Sequence, residues 1–260
     1  MRVLTAARSS AAGEGKTPLA GHSKWSQIKR KKAVNDGQRG KVISKHIRAI
    51  QSAVRSGGGG DAGANLPLKN ALAAAKSDNV PVDNIERAIE RALGGAEGGA
   101  FEEVLYEGYG PGGVAMLVEA LTDNKNRTVA EVRHAFSKHG GNLSGSTAWQ
   151  FDTKGLIVVE GPPPGLEELA IDLGADDIEV EEGVVSIYTE PASLFAVVDS
   201  LQGAGIDAAV TQLTRVPQTT TSLSDNDARK VINLMESLED LDDVQNVYST
   251  ADLENAALVG

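Results

Sequence analysis

The feature that most constrains the fold is a change of periodicity at residues 94–100, GGAEGGA. Before this joint, apolar residues recur every three to four positions; after it they alternate or run in short blocks between turn residues. In KVISKHIRAIQSAV, Ile43, Ile47, Ile50 and Val54 form one helical stripe. A second helix follows Asn65, a good cap, with Leu68, Ala71, Leu72 and Ala75 inward. The third, PVDNIERAIERALGG, has Ile85, Ile89 and Leu93 in register, an Asp83–Arg87 pair, and Gly94 as its stop. Short amphipathic helices bury their stripes only against one another, so residues 20–98 are expected to form a helical domain.

Beyond the joint, EEVLYEGYGPGGVAMLVEALTD predicts two strands around a Gly-Pro-Gly-Gly turn. NRTVAEVRHAFSKHGG predicts a helix with Val129, Val132 and Phe136 inward. Residues 147–215 then read strand, helix, strand, strand, helix, strand, a ferredoxin-like βαββαβ unit. The tail adds an amphipathic helix and the strand VQNVYST. The first ββα lacks a closing αβ, and the tail supplies one. The expected fold is therefore α+β and multidomain: a three-helix domain plus two split α/β domains, one inserted in the other. Residues 99–146 and 216–260 would form the discontinuous domain and 147–215 the insert. Residues 1–19, rich in Ala, Ser and Arg and broken by Gly13, Glu14 and Gly15, are expected to be a disordered leader or an overextended start, in preference to a mitochondrial presequence.

Cysteine is absent, which excludes disulfides, thiolate metal sites and a cysteine nucleophile. No apolar run approaches the roughly 18–20 residues that span a bilayer. Charge is strongly segregated within a chain of net charge −11. Residues 20–55 hold ten basic residues against Asp36 alone, a net +9, while residues 56–260 hold 12 basic and 34 acidic residues, a net −22. Lys41, Lys45 and Arg48 keep the helical spacing of Ile43, Ile47 and Ile50, offset by two residues, or ~200° at 100° per residue, and Arg55 continues the line about two turns beyond Arg48. The basic line therefore lies opposite the buried one.

Other motifs are weaker. GEGKT at 13–17 lacks the first glycine of a phosphate loop, since Ser10 stands there, and Pro18 follows at once. Ser26-x-x-Lys29 has no partner motif for acyl-enzyme chemistry. His134 and His139 are five residues apart and diverge on a helix, where a zinc pair needs four. GYGPGG joins two strands and so reads as a turn. ESLEDLDD at 236–243 keeps helical period through Leu238 and Leu241 and reads as a solvated acidic helix face. The basic head differs from these: a merely solvated face would intersperse acids, because like charges at i,i+4 repel. A cluster of +9 in an acidic chain points to a polyanion, with nucleic acid preferred over an acidic membrane surface.

The blocks GHSKWSQIKRKKAVNDGQRGKVISKHIRAI, DNIERAI, YEGYGPGGVAMLVEALTDNKNRT, FSKHGGNLSGSTAWQFDTKG and SLEDLDDVQNVYSTAD resemble the YebC/PmpR family, whose mitochondrial relatives are translational activators of cytochrome c oxidase. The resemblance spans residue 20 to about 252. It implies three domains around a cleft, and a cytoplasmic, non-enzymatic protein without cofactor, metal or small-molecule substrate. It also implies either a DNA-binding transcriptional regulator or a ribosome-associated factor that relieves stalling on proline-rich stretches through rRNA or tRNA. The family's basic motif falls on Lys24, Trp25, Lys29, Arg30, Lys31, Lys32, Arg39, Lys41 and Lys45, and the charged line adds Arg48 and Arg55. Trp25 is expected to pack in the bundle or stack on a base. The acidic body, repelled by phosphates, is expected to point away from them or to meet a basic protein surface. Two stretches depart from the family's pattern: GGNLSGSTAW is two residues shorter than usual, and GGGGDAGANLPL is richer in glycine.

Overall fold

The structure is a computed structural model that describes residues 36–94, 101–181 and 183–253. It opens with three helices, α1 (Asp36–Ser56), α2 (Leu66–Ser77) and α3 (Val82–Leu93). Helix α1 packs on both of the others through Ile50 and Val54, flanked by half-buried Ile43 and Ile47, against Leu68, Ala75, Ala88 and Ala92. Each fully buried aliphatic side chain contributes roughly 1.5–3 kcal/mol, enough for this small set to hold three short helices together. Asn65 fastens the corner. Its Oδ1 accepts from Leu68 N at 3.0 Å, capping α2, and its Nδ2 donates to the carbonyls of Ala53 and Gly59 at 2.8 Å each. A Cβ at Gly57 would sit 2.0 Å from Asn65 Oδ1, so this approach requires glycine.

Two expectations for α3 are corrected. Leu93 is 60% exposed, because the buried face centres on Ala88 and Ala92 and Leu93 lies about 80° round from Ile85 at 100° per residue. Arg87 donates to the Asp83 backbone carbonyl and to Asn84 Oδ1, and not to the Asp83 carboxylate.

Strands β1 (Glu102–Tyr109), β2 (Ala115–Thr122) and β7 (Val244–Ser249) form an antiparallel sheet with β2 central. The β1–β2 hairpin turns through Pro111–Gly113, with Gly112 at φ 73°, a left-handed conformation that favours glycine. Helices α4 (Lys125–Lys138) and α7 (Asp225–Glu239) cover one face. Met116, Val118, Val132, Phe136, Val231, Leu234, Leu238 and Val247 make up that core. Thr128 is fully buried on α4, while Val129 is only half-buried. Ala115, Leu117, Phe151 and Tyr248 pack on the opposite face, so β2 is buried on both sides and reads as one apolar run.

After α4 the chain builds a second sheet. Strands β3 (Phe151–Glu160), β4 (Asp177–Glu181), β5 (Val184–Thr189) and β6 (Val210–Pro217) pair antiparallel in the order β4-β5-β3-β6. With α5 (Leu166–Asp172) after β3 and α6 (Leu194–Gly203) after β5, this is the βαββαβ arrangement. Ile157, Val159, Val185 and Ile187 face Leu166, Leu194, Val197 and Leu201. Leu156, Val158, Tyr188 and Val216 lie on the other face. The chain then returns through α7 and β7 to the first sheet. No described helix is long and apolar enough to cross a membrane.

The three units touch. Helix α2 packs against edge strand β6, where Thr211 N donates to Ser77 Oγ at 3.1 Å and Lys69 Nζ lies 4.0 Å above the Phe195 ring. The two sheets meet where Arg215 Nε donates to Glu119 at 3.1 Å.

Candidate nucleic-acid interface

Of the eleven positions singled out by sequence, Lys24, Trp25, Lys29, Arg30, Lys31 and Lys32 lie outside the described residues. The other five lie on α1, away from the isoleucine stripe. Arg39, Lys41 and Arg55 are exposed, and Lys45 and Arg48 are half-buried. Ser52, one turn beyond Arg48, is 8% exposed, so this face of α1 is itself covered.

What covers it is the C-terminal end of α7. Lys41 Nζ donates to the Asp240 carbonyl at 3.1 Å, Lys45 Nζ to the Glu239 carbonyl at 2.6 Å, and Arg48 Nη1 to the Asp242 carbonyl at 2.8 Å. The last carbonyls of a helix lack intrahelical donors and carry partial negative charge, so cations are favoured there. Leu234 and Leu238, both fully buried, hold the end of α7 in place. The run ESLEDLDD, expected to be a solvated face, is therefore a docking edge. Its leucines point into the core, its backbone carbonyls bind α1, and Asp243 is buried. The basic surface met by the acidic body at this point is the chain's own α1.

Asp243 joins the pieces. Its Oδ1 accepts from Arg48 Nη1 at 3.0 Å and its Oδ2 from Arg127 Nη2 at 2.6 Å. The Thr122 and Thr128 hydroxyls lie 3.0 and 2.7 Å from Oδ2. Asp243 also accepts Leu121 N on its backbone carbonyl, which seats β7 beside β2. Burial alone would push this carboxyl up, but the Arg127 guanidinium and the two threonine hydroxyls outweigh it and hold the carboxyl below its ordinary value. Arg127 in turn pairs with Asp123 at 2.9 Å, and Asn124 caps α4 by accepting Arg127 N at 3.1 Å. The segment TDNKNRT thus builds the seat for Asp243. Sequence reasoning missed Asp243 as a partner of the basic line and Arg127 as the second cation that shares its carboxylate. The available signal was the opposition of a +9 segment and an acidic helix end in one chain.

Elsewhere, Glu107 accepts from Ala148 N at 2.7 Å, from Thr147 N and from Ser146 Oγ, which depresses its carboxyl and fixes this loop. The loop displays Trp149, 68% exposed, with its indole N–H bonded to the Ser146 carbonyl at 3.1 Å. His46 Nε2 lies 2.6 Å from Asp78 Oδ2, tying α1 to the end of α2.

The fold is an α+β, three-unit protein that presents a line of cations on its first described helix. Two family models match it: residues 23–95 match the TACO1/YebC protein N-terminal domain, and residues 101–251 match the TACO1/YebC second and third domain. The chain belongs to the TACO1/YebC family. It is 55% identical over 238 residues to a probable transcriptional regulatory protein of Deinococcus radiodurans, covering 90% of this chain and 98% of that one. It is 52% identical over 240 residues to the probable transcriptional regulatory protein TT_C0469 of Thermus thermophilus, covering 91% and 98%. The crystal structure of a conserved hypothetical protein, Aq1575, from Aquifex aeolicus is similar with a TM-score of 0.76 at 46% identity, covering 84% of this chain and 91% of that chain.

Proposed function

We propose that this chain is a non-enzymatic, cytoplasmic, nucleic-acid-binding regulator of transcription that grips the phosphate backbone of DNA through its basic helical domain. The observation that carries the reading is the concentration of ten cations against one acid in residues 20–55 of an acidic chain. Three of these, Lys41, Lys45 and Arg48, are aligned on one covered face of α1. Phosphate contacts supply affinity and orientation without reading sequence. The names of the Deinococcus and Thermus relatives support regulation of transcription as the setting.

A second reading, a ribosome-associated translation factor, rests on the character of the same cations. Two of the three aligned side chains are lysines, point charges suited to any phosphate backbone, rRNA included. Two measurements test the proposal. With about six phosphate contacts, affinity for duplex DNA falls ~10³-fold between 50 and 200 mM salt, and a salt-insensitive complex rejects the phosphate grip. Crosslinking in cells followed by sequencing separates the two settings. Discrete promoter peaks support the DNA reading, whereas enrichment of rRNA and tRNA replaces it with the ribosomal one.

A further inference from the structure

We infer that the line Lys41–Lys45–Arg48 is one binding surface with two competing occupants: the C-terminal end of α7 in this structure, and a nucleic-acid phosphate backbone in the bound state. The inference rests on the nucleic-acid reading above. It adds that α1 must leave α7 for this part of the basic head to bind.

The geometry is that of a stand-in. Lys41 to Arg48 spans seven residues, roughly 10 Å along the helix at 1.5 Å per residue. That length holds about three phosphates of one strand at 3.4 Å each along the duplex axis. In this structure the three head groups are met by the carbonyls of Glu239, Asp240 and Asp242 and by the Asp243 carboxylate, acceptors of the same kind that a phosphate offers. The side chains of Asp240 and Asp242 are exposed beside them, so the docked line is both occupied and fenced by negative charge. No phosphate backbone can reach it there without clashing in space and in sign.

The exchange is also energetically accessible. A helix C-terminus offers about half an elementary charge over its last carbonyls, whereas each phosphate offers a full one. Leaving costs little at Asp243. When Arg48 departs, that carboxylate keeps Arg127 and both threonine hydroxyls, so no buried charge is stranded. Arg39, exposed at the start of α1 and outside the docked line, gives the incoming strand its first contact.

Because the chain has no cysteine, two introduced ones react alone. Ser44→Cys and Asp240→Cys, both at exposed positions, bracket the contact and can be joined by a short, reductively cleavable bismaleimide. The probe is a fluorescently labelled DNA duplex. The joined protein is expected to bind at least about ten-fold more weakly than the unjoined double variant. Its slope of log affinity against log salt should be shallower by roughly two to three, the loss of three phosphate contacts. Cleavage of the linker should restore both. Equal affinity and slope in the joined and unjoined forms overturn the inference while leaving the nucleic-acid reading intact, with the phosphates held elsewhere on the basic head. Absence of binding in both forms rejects the reading, and the inference with it. A second set of variants carries the opposite sign. Glu239→Gln/Asp240→Asn/Asp242→Asn should bind several-fold more tightly than Glu167→Gln/Glu168→Gln/Asp172→Asn, which makes the same charge change on α5. Equal affinities of the two triples also overturn it.

Discussion

The two ends of α7 are finished in opposite ways. At the N-terminus, Ser224 Oγ accepts Asp227 N at 3.2 Å, and Asp225 and Asp227 stand in the first turn where the helix dipole favours acids. Everything needed is supplied within a few residues. At the C-terminus the last turn has no basic residue and the neighbouring chain is acidic, the unfavourable sign for that end. Its cations arrive from α1, 194 to 199 residues upstream. One end is secured by local chemistry, the other by docking. Stability of the first should be intrinsic to the helix, whereas stability of the second depends on where the helical domain sits.

The largest expected effect breaks the docked end at its centre. Asp243→Ala removes a carboxylate that is 4% exposed and serves two arginines and two hydroxyls. Breaking a buried pair costs up to 3–5 kcal/mol; discounted for the half-exposed Arg127, the loss should be about 2–4 kcal/mol. Thermal unfolding should show a fall in Tm of roughly 5–12 °C. Asp243→Asn should cost less, since an amide oxygen still accepts. Acid titration sharpens the point. The folded-state carboxyl lies below its ordinary value of 3.8, so its stabilisation is complete above that value and is lost as pH falls through the lower folded one. Between pH 5 and pH 2, Asp243→Asn should therefore lose less stability than the parent protein. Parallel curves would show that Asp243 gains nothing from its partners.

What could be read from sequence follows the same division between local and distant. The isoleucine stripe of α1, the Asn65 cap, the Gly-Pro-Gly-Gly turn and the βαββαβ order are all stated by residues close together in the chain. Each has a period or a turn chemistry that only one local structure satisfies. The partners of Lys41, Lys45 and Arg48 are not of this kind. Three of the acceptors are main-chain carbonyls of acidic residues that carry no side-chain signature for the role, and a charge has no periodicity that names its mate. Asp243 looks like one more acid in ESLEDLDD, yet it is buried because β7 begins beside Thr122 and Thr128. Leu93 failed in a subtler way: the third member of its register sits too far round the helix from the alanines that make the contact.

A middle-sized effect tests the local end. Ser224→Ala removes the cap of α7 and should cost about 1 kcal/mol, the ordinary value for an N-cap. Denaturant unfolding should show this loss at low and high salt alike, because a hydroxyl-to-amide hydrogen bond is little screened. It should also be the same whether or not α1 is held to α7. A loss that grew when the two were held together would mean that the capped end, too, depends on docking.

The smallest effect is expected at the distant end. Lys41→Met and Lys45→Met each keep an apolar stem of similar length while removing the ammonium. A cation at a helix C-terminus is worth about 0.3–1 kcal/mol at low ionic strength, and half-buried Lys45 should lie nearer the top of that range than exposed Lys41. At 1 M salt, where the Debye length is about 3 Å, most of the Lys41 difference should vanish while the Ser224→Ala difference persists. The order Lys45 above Lys41, together with this salt dependence, is what a helix end finished by docked charge requires. Equal, salt-independent losses would instead mean that the two lysines act through their packed stems, and that charge has little part in holding α1 to α7.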